Sequence, residues 1–95
     1  MHRLSFRPLA KDDIQNIIDY YDLINPKLAD AFLLELEDSI LHIKSRPEAF
    51  QKRFGEIRLV FLKFKFGVFY KMYEEKIVVI AILHTSRDPM IWKKR

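Results

Sequence analysis

The sequence contains no cysteine, so a disulfide framework, a thiolate metal site and a cysteine nucleophile are all excluded. It has two glycines, Gly55 and Gly67, too few and too isolated for a glycine-rich phosphate loop or a Gly-x-Ser-x-Gly elbow. Its three histidines, His2, His42 and His84, form no His-x-x-x-His pair, and no metal or cofactor site is expected. The longest unbroken apolar run, Ile77 to Leu83, is seven residues, far below the roughly 20 that span a bilayer as a helix. No apolar signal core follows the start Met1-His2-Arg3-Leu4-Ser5-Phe6-Arg7-Pro8, so a cytoplasmic protein without a membrane partner is expected.

What is present is a core. Ninety-five residues with 49% hydrophobic and 14% aromatic side chains describe one folded domain, residues 1–95, and not a disordered chain. Charge is divided unevenly. Residues 1–50 carry six Lys/Arg against nine Asp/Glu, a net of −3, and residues 51–95 carry eleven against four, a net of +7. That asymmetry points to a basic face that attracts nucleic acid or an acidic protein. The alternative is that the cations serve only as solubilising surface on strand faces.

The apolar spacing predicts the elements. His2 to Phe6 reads as a short opening strand. Pro8 suits the first turn of a helix, with Asp12 and Asp13 near its positive end. Ile14, Ile17, Ile18 and Tyr21 then fall on one face. The pair Asn25-Pro26 restarts a helix through an N-cap followed by proline. Ala29, Phe32, Leu33, Leu36, Ile40 and Ile43 form its buried stripe until Arg46-Pro47 ends it. Two such helices so close together make an antiparallel hairpin.

Residues 47–55, including Lys52 and Arg53, read as a loop. Ile57 to Leu62 and Phe66 to Tyr73 read as strands joined by a turn over residues 63–65. Glu74-Glu75 makes the next turn, and Ile77 to His84 reads as a central strand, because it lacks the alternation of a half-exposed one. The expected fold is therefore α+β, in the order β-α-α-β-β-β, with a helical hairpin on a small, largely antiparallel sheet.

Candidate chemistry gathers at the sheet's end: Lys52, Arg53, Arg58, His84 and Arg87. His84 ends the most hydrophobic strand, where an imidazole can act as acid or base near neutral pH. Arg58, inside an apolar strand, can hold a phosphate or carboxylate through two N–H groups. The structural alternatives are a His84 bonded to neighbouring backbone and an Arg58 paired with a helix carboxylate or reaching water.

Several residues in order complete the pattern: Ala10-x-x-Asp13-Ile14-x-x-Ile17-x-x-Tyr20-Tyr21, Ala31-Phe32-x-x-x-Leu36-x-x-x-Ile40, Arg46-Pro47, Ile57-Arg58 and Phe69-Tyr70-x-x-Tyr73. The last is Ile80-x-Ile82-Leu83-His84-x-x-Arg87-Asp88-Pro89-x-x-Trp92. Together they resemble the RelE/ParE toxins over essentially the whole chain, and the ParE-like branch in the helical hairpin and the terminal motif. The resemblance implies the toxin of a type II toxin–antitoxin pair, a growth inhibitor of the plasmid-stabilization kind, held in a hetero-oligomer by its antitoxin. ParE-like members poison DNA gyrase by binding it. RelE-like members cleave mRNA on the ribosome without metal, and for that activity the resemblance would assign Arg58, His84 and Arg87 as catalytic. The tyrosine that many of those nucleases carry beyond the last strand is replaced here by Thr85-Ser86-Arg87. A gyrase-directed binding protein is therefore the expectation, with Lys52, Arg53, Arg58, Arg87, Trp92, Lys93 and Lys94 as the target-binding set. The alternatives are a ribosome-dependent mRNA endoribonuclease and a degenerate domain that binds antitoxin without toxicity.

Overall fold

The structure is a computed structural model that describes residues 2–85. It runs β1 (Arg3–Phe6), α1 (Pro8–Ile24), α2 (Pro26–Ser45), a 3-10 turn (Pro47–Ala49), β2 (Lys52–Phe54), β3 (Ile57–Phe61), β4 (Phe66–Tyr73) and β5 (Lys76–His84). The strands form one sheet in the order β1-β5-β4-β3-β2. β1 lies parallel to β5, and the remaining neighbours are antiparallel. No helix among the described residues is long and apolar enough to cross a membrane.

Local chemistry explains the helical hairpin. Pro8 opens α1 directly after the extended Arg7. Asn25 then serves both helices: its N–H donates to Tyr21 O at 2.8 Å and closes α1, while its side-chain oxygen accepts from Lys27 N–H at 3.0 Å and caps α2. A single extended residue, at φ −166°, thus turns the chain, and Pro26 fixes the first residue of the new helix. α2 closes where Arg46 N–H reaches His42 O at 2.9 Å and Pro47 forbids continuation.

The hairpin covers one face of the sheet. Phe32, Ile43, Val68, Tyr70, Ile77 and Val79 are fully inaccessible there. Phe32 meets Phe64 and Phe66 at ring-centroid distances of 6.1 and 5.9 Å, both edge-on. A second cluster, on the opposite face, contains Ile57, Phe69, Ile80, Ala81 and Leu83, with Phe54 and Leu59 against it.

β5 feeds both clusters because its register with β4 shifts. Phe69 faces Ala81 while Tyr70 faces Val79, so Ile80 is an extra residue, a bulge. Ile80 and Ala81 consequently both join the outer cluster, and Ile82 returns to the helix side. The unbroken apolar run thus has two causes, an interior position and a bulge that resets the alternation.

Two sequence expectations change. Residues 47–55 are not simply a loop: they hold a 3-10 turn and the edge strand β2, whose Lys52 pairs with Arg58 and Phe54 with Ile57. Asp12 and Asp13 lie beyond the first turn of α1, past the N–H groups that a helix-end carboxylate would satisfy. Asp13 Oδ2 instead accepts the Ile82 backbone N–H at 3.0 Å, joining helix to sheet.

Candidate target-binding surface

Arg58 is held from three sides. It stands between Lys52 on β2 and Tyr70 on β4, and its Nη1 donates to Phe50 O at 2.6 Å and Glu48 O at 3.3 Å. Beside it, the Tyr70 hydroxyl donates to Pro47 O at 2.6 Å. The two side chains thereby clamp the backbone between α2 and β2 through three carbonyls. Burial pushes the Tyr70 phenol up to about 12, against the opposing pull of the Arg58 charge. Tyr70 is therefore a neutral donor at physiological pH. The partners of Arg58 among the described residues are backbone carbonyls rather than a helix carboxylate.

His84 stands at the far end of β5, half-buried and opposite Phe66. The two rings meet nearly perpendicular with centroids 5.2 Å apart. With Asp13, Asn16 and Tyr20 of α1, His84 lines a cleft of about 450 Å³. Asp13 and Tyr20 belong to the helix motif named above, yet their spacing carried no sign that α1 would present them to the last strand.

Arg58 and His84 are not one constellation. Their partners on β4, Tyr70 and Phe66, are four residues apart, and two inter-strand steps separate the residues themselves. At about 3.3 Å per residue and 4.8 Å per strand, their Cα atoms are about 16 Å apart. Proton transfer and phosphate stabilisation at a single scissile bond need groups that converge within hydrogen-bond reach of it.

Lys52 and Arg53 lie at the sheet edge. Lys52 Nζ is 2.9 Å from Glu56 Oε2, and this hydrogen bond holds the Glu56 carboxyl below its usual range. The Arg53 guanidinium lies over the Phe61 ring at 5.4 Å, with Phe61 exposed. Arg87, Trp92, Lys93 and Lys94 fall outside the described residues.

Charge separates by layer. The two helices carry three Lys/Arg against eight Asp/Glu, a net of −5. The five described strands carry six Lys/Arg (Arg3, Lys52, Arg53, Arg58, Lys71 and Lys76) and no Asp or Glu. Exposed apolar side chains lie on the helical layer as well, with Leu23 at 87% and Leu34 at 68% exposure, which makes these helices candidates for contact with other proteins.

A helical hairpin on one face of a mixed sheet, with the strands basic and the helices acidic, defines a small α+β protein. The model of the family described as "ParE toxin of type II toxin-antitoxin system, parDE" matches residues 4–89, and the chain belongs to that family. A solved structure described as "Chromosomal ParDE TA system from P. aeruginosa" superimposes with a TM-score of 0.77 at 18% identity, covering 90% of this chain and 98% of that one. No curated protein sequence matches the chain at a significant level.

Proposed function

We propose that this chain is a toxin that inhibits growth by binding a protein target, DNA gyrase, and that a cognate antitoxin silences it in the cytoplasm. Family membership supports the toxin role. The observation that carries binding over cleavage is the commitment of Arg58 to the Glu48 and Phe50 carbonyls, about 16 Å from His84 by strand geometry. A ribosome-dependent nuclease would need these groups on one phosphate. The target-facing residues in this reading are Lys52 and Arg53, with Arg87, Trp92, Lys93 and Lys94.

Expression from an inducible promoter tests it. Growth should stop with DNA-damage signalling and filamentation while protein synthesis continues at first, and the purified chain should inhibit gyrase supercoiling. Immediate loss of translation with mRNA cut inside ribosomes would establish the nuclease instead. Normal growth with antitoxin binding retained would identify a degenerate, non-toxic domain.

A further inference from the structure

Two turns of the sheet place a residue in the left-handed region of backbone space. Between β2 and β3 that residue is Gly55, at φ +59°, and between β3 and β4 it is Lys65, at φ +63°. Glycine adopts this conformation without a clash, whereas the Cβ of an L-residue crowds its own backbone there. Lys65 is the one residue other than glycine with a positive φ among the described residues. The fold meets the same demand twice and answers it once with a strained lysine.

Lys65 is fixed in that state by its neighbours. Its N–H donates to Leu62 O at 3.3 Å, and its carbonyl accepts both the Thr85 N–H at 2.8 Å and the Thr85 hydroxyl at 3.0 Å. Two residues earlier, Lys63 N–H donates to Glu35 Oε2 of α2 at 2.7 Å. Between the two lysines Phe64 turns inward, edge-on to Tyr21 and Phe32 at centroid distances of 5.4 and 6.1 Å. The turn is thus anchored to α1, to α2 and to the residue after β5. What it leaves outside is the pair Lys63 and Lys65, both exposed. Neither ammonium group joins an ion pair among the described residues. The Glu35 carboxylate that meets Lys63 grips its backbone, not its side chain.

Strain that a glycine would relieve, held in place by bonds from several elements, points to a side chain retained for use at the surface. We propose that the β3–β4 turn is a phosphate-contacting element for duplex DNA, in which Lys63 and Lys65 neutralise backbone phosphates. Lysine suits that role. Its compact ammonium carries three rotatable donors and meets a phosphate oxygen without the fork geometry that arginine imposes. Arg53, whose guanidinium lies over the Phe61 ring just ahead of the turn, extends the cationic surface toward the sheet edge.

An acidic protein segment is the weaker candidate. Its affinity would need an apolar anchor packed beside the charges, and the apolar residues of the turn are committed inward. Leu62 is buried, and Phe64 and Phe66 pack on Phe32. Phosphate contacts need no such anchor, because released counterions drive them.

The inference does not rest on the toxin reading, and its test uses no cells. A fluorescein-labelled DNA duplex of about twenty base pairs is titrated with the purified full chain at several salt concentrations. Anisotropy then gives the affinity and its salt slope. Lys63→Gln/Lys65→Gln should bind about tenfold more weakly, with a slope of log K against log salt smaller by about two, one per lost phosphate contact. Lys65→Arg keeps the charge and should bind within about twofold of the unsubstituted chain. Lys65→Gly separates a surface role from a structural one. Its unfolding equilibrium in urea should shift about threefold toward the folded state while DNA binding falls. A duplex that does not bind at low salt would overturn the proposal, as would a double variant with unchanged affinity and slope. So would a Lys65→Gly variant less stable than the unsubstituted chain. A glutamate-rich peptide that binds more tightly than the duplex, and loses that affinity in the double variant, would assign the turn to an acidic protein instead.

Discussion

The helical layer and the sheet of this protein are opposites in charge but are not held together by that opposition. The helices carry a net of −5 and the described strands six cations without an acid, yet the Lys–carboxylate bridge seen among the described residues is local. Lys52 pairs with Glu56 across the β2–β3 turn, and His42 Nδ1 lies 3.6 Å from Asp38 Oδ2 one turn away on α2. What joins the layers is apolar burial around Phe32 and carboxylates that grip backbone. Asp13 accepts Ile82 N–H at 3.0 Å and Glu35 accepts Lys63 N–H at 2.7 Å. The difference teaches that the surface charge is left available for encounters with other molecules, where it changes rates and specificity more than fold stability.

That division can be broken at its apolar centre first. Phe32→Ala empties a site with no solvent access among the rings of Tyr21, Phe64 and Phe66. A loss of about 3–5 kcal/mol is expected in urea unfolding, which is much of the stability of a small domain. A loss below about 1 kcal/mol would mean that the aromatic cluster is not what binds the layers.

Next in size is the polar tie. Asp13→Ala leaves the Ile82 N–H without its acceptor and should cost about 1–3 kcal/mol, with Asp13→Asn recovering part through its amide oxygen. Equal stability of all three proteins would remove this bond from the account.

Tyr70 offers a pH-resolved version of the same question. Burial holds its phenol neutral up to about 12, against 10.0 for the free side chain. The folded state therefore keeps the proton longer than the unfolded chain. Its contribution is whole below pH 10 and declines as pH rises to 12, by up to roughly 2–3 kcal/mol. Melting temperature of the unsubstituted protein should fall more steeply over that window than in Tyr70→Phe, which should itself be about 1–2 kcal/mol less stable at neutral pH. Parallel curves would show that burial does not raise the Tyr70 phenol above its free value.

The smallest effect on stability should come from the charged rim. Lys52→Glu/Arg53→Glu should change unfolding free energy by only about 0.5–1 kcal/mol. It should slow association with an acidic antitoxin, most at low salt, because steering acts over roughly a Debye length. Dissociation should be almost unchanged. A salt-independent on-rate would reduce the layer charge to solubilising surface.

Elements that announce themselves locally are legible in the amino-acid order alone. Asn25-Pro26 and Arg46-Pro47 mark helix ends through backbone chemistry of one or two residues, and Glu74-Glu75 marks the turn between β4 and β5. Features created by pairing are not. Lys52-Arg53-Phe54 is too short to show alternation and becomes a strand only because β3 lies beside it. The parallel neighbour of β1 is chosen by topology, and the bulge at Ile80 looks the same in sequence as a strand buried on both faces. The site divides in the same way. His84 closes its strand in the structure, where the apolar run ahead of it puts it. Arg58, however, bonds through Nη1 to carbonyls that every residue possesses, and no side-chain motif reports where a carbonyl will stand.

The pairing of Arg3 with Lys76 ties the beginning of the chain to a strand 73 positions later, and β5 must insert between β1 and β4 before the sheet is continuous. A nascent chain that has emerged through the helical hairpin alone has an unpaired first strand and an uncovered apolar helix face. Contacts this distant in sequence also form slowly, since loop closure precedes the contacts that reward it. During synthesis, the protein therefore passes through an interval in which its helices exist but the surface that spans β1 and β5 does not.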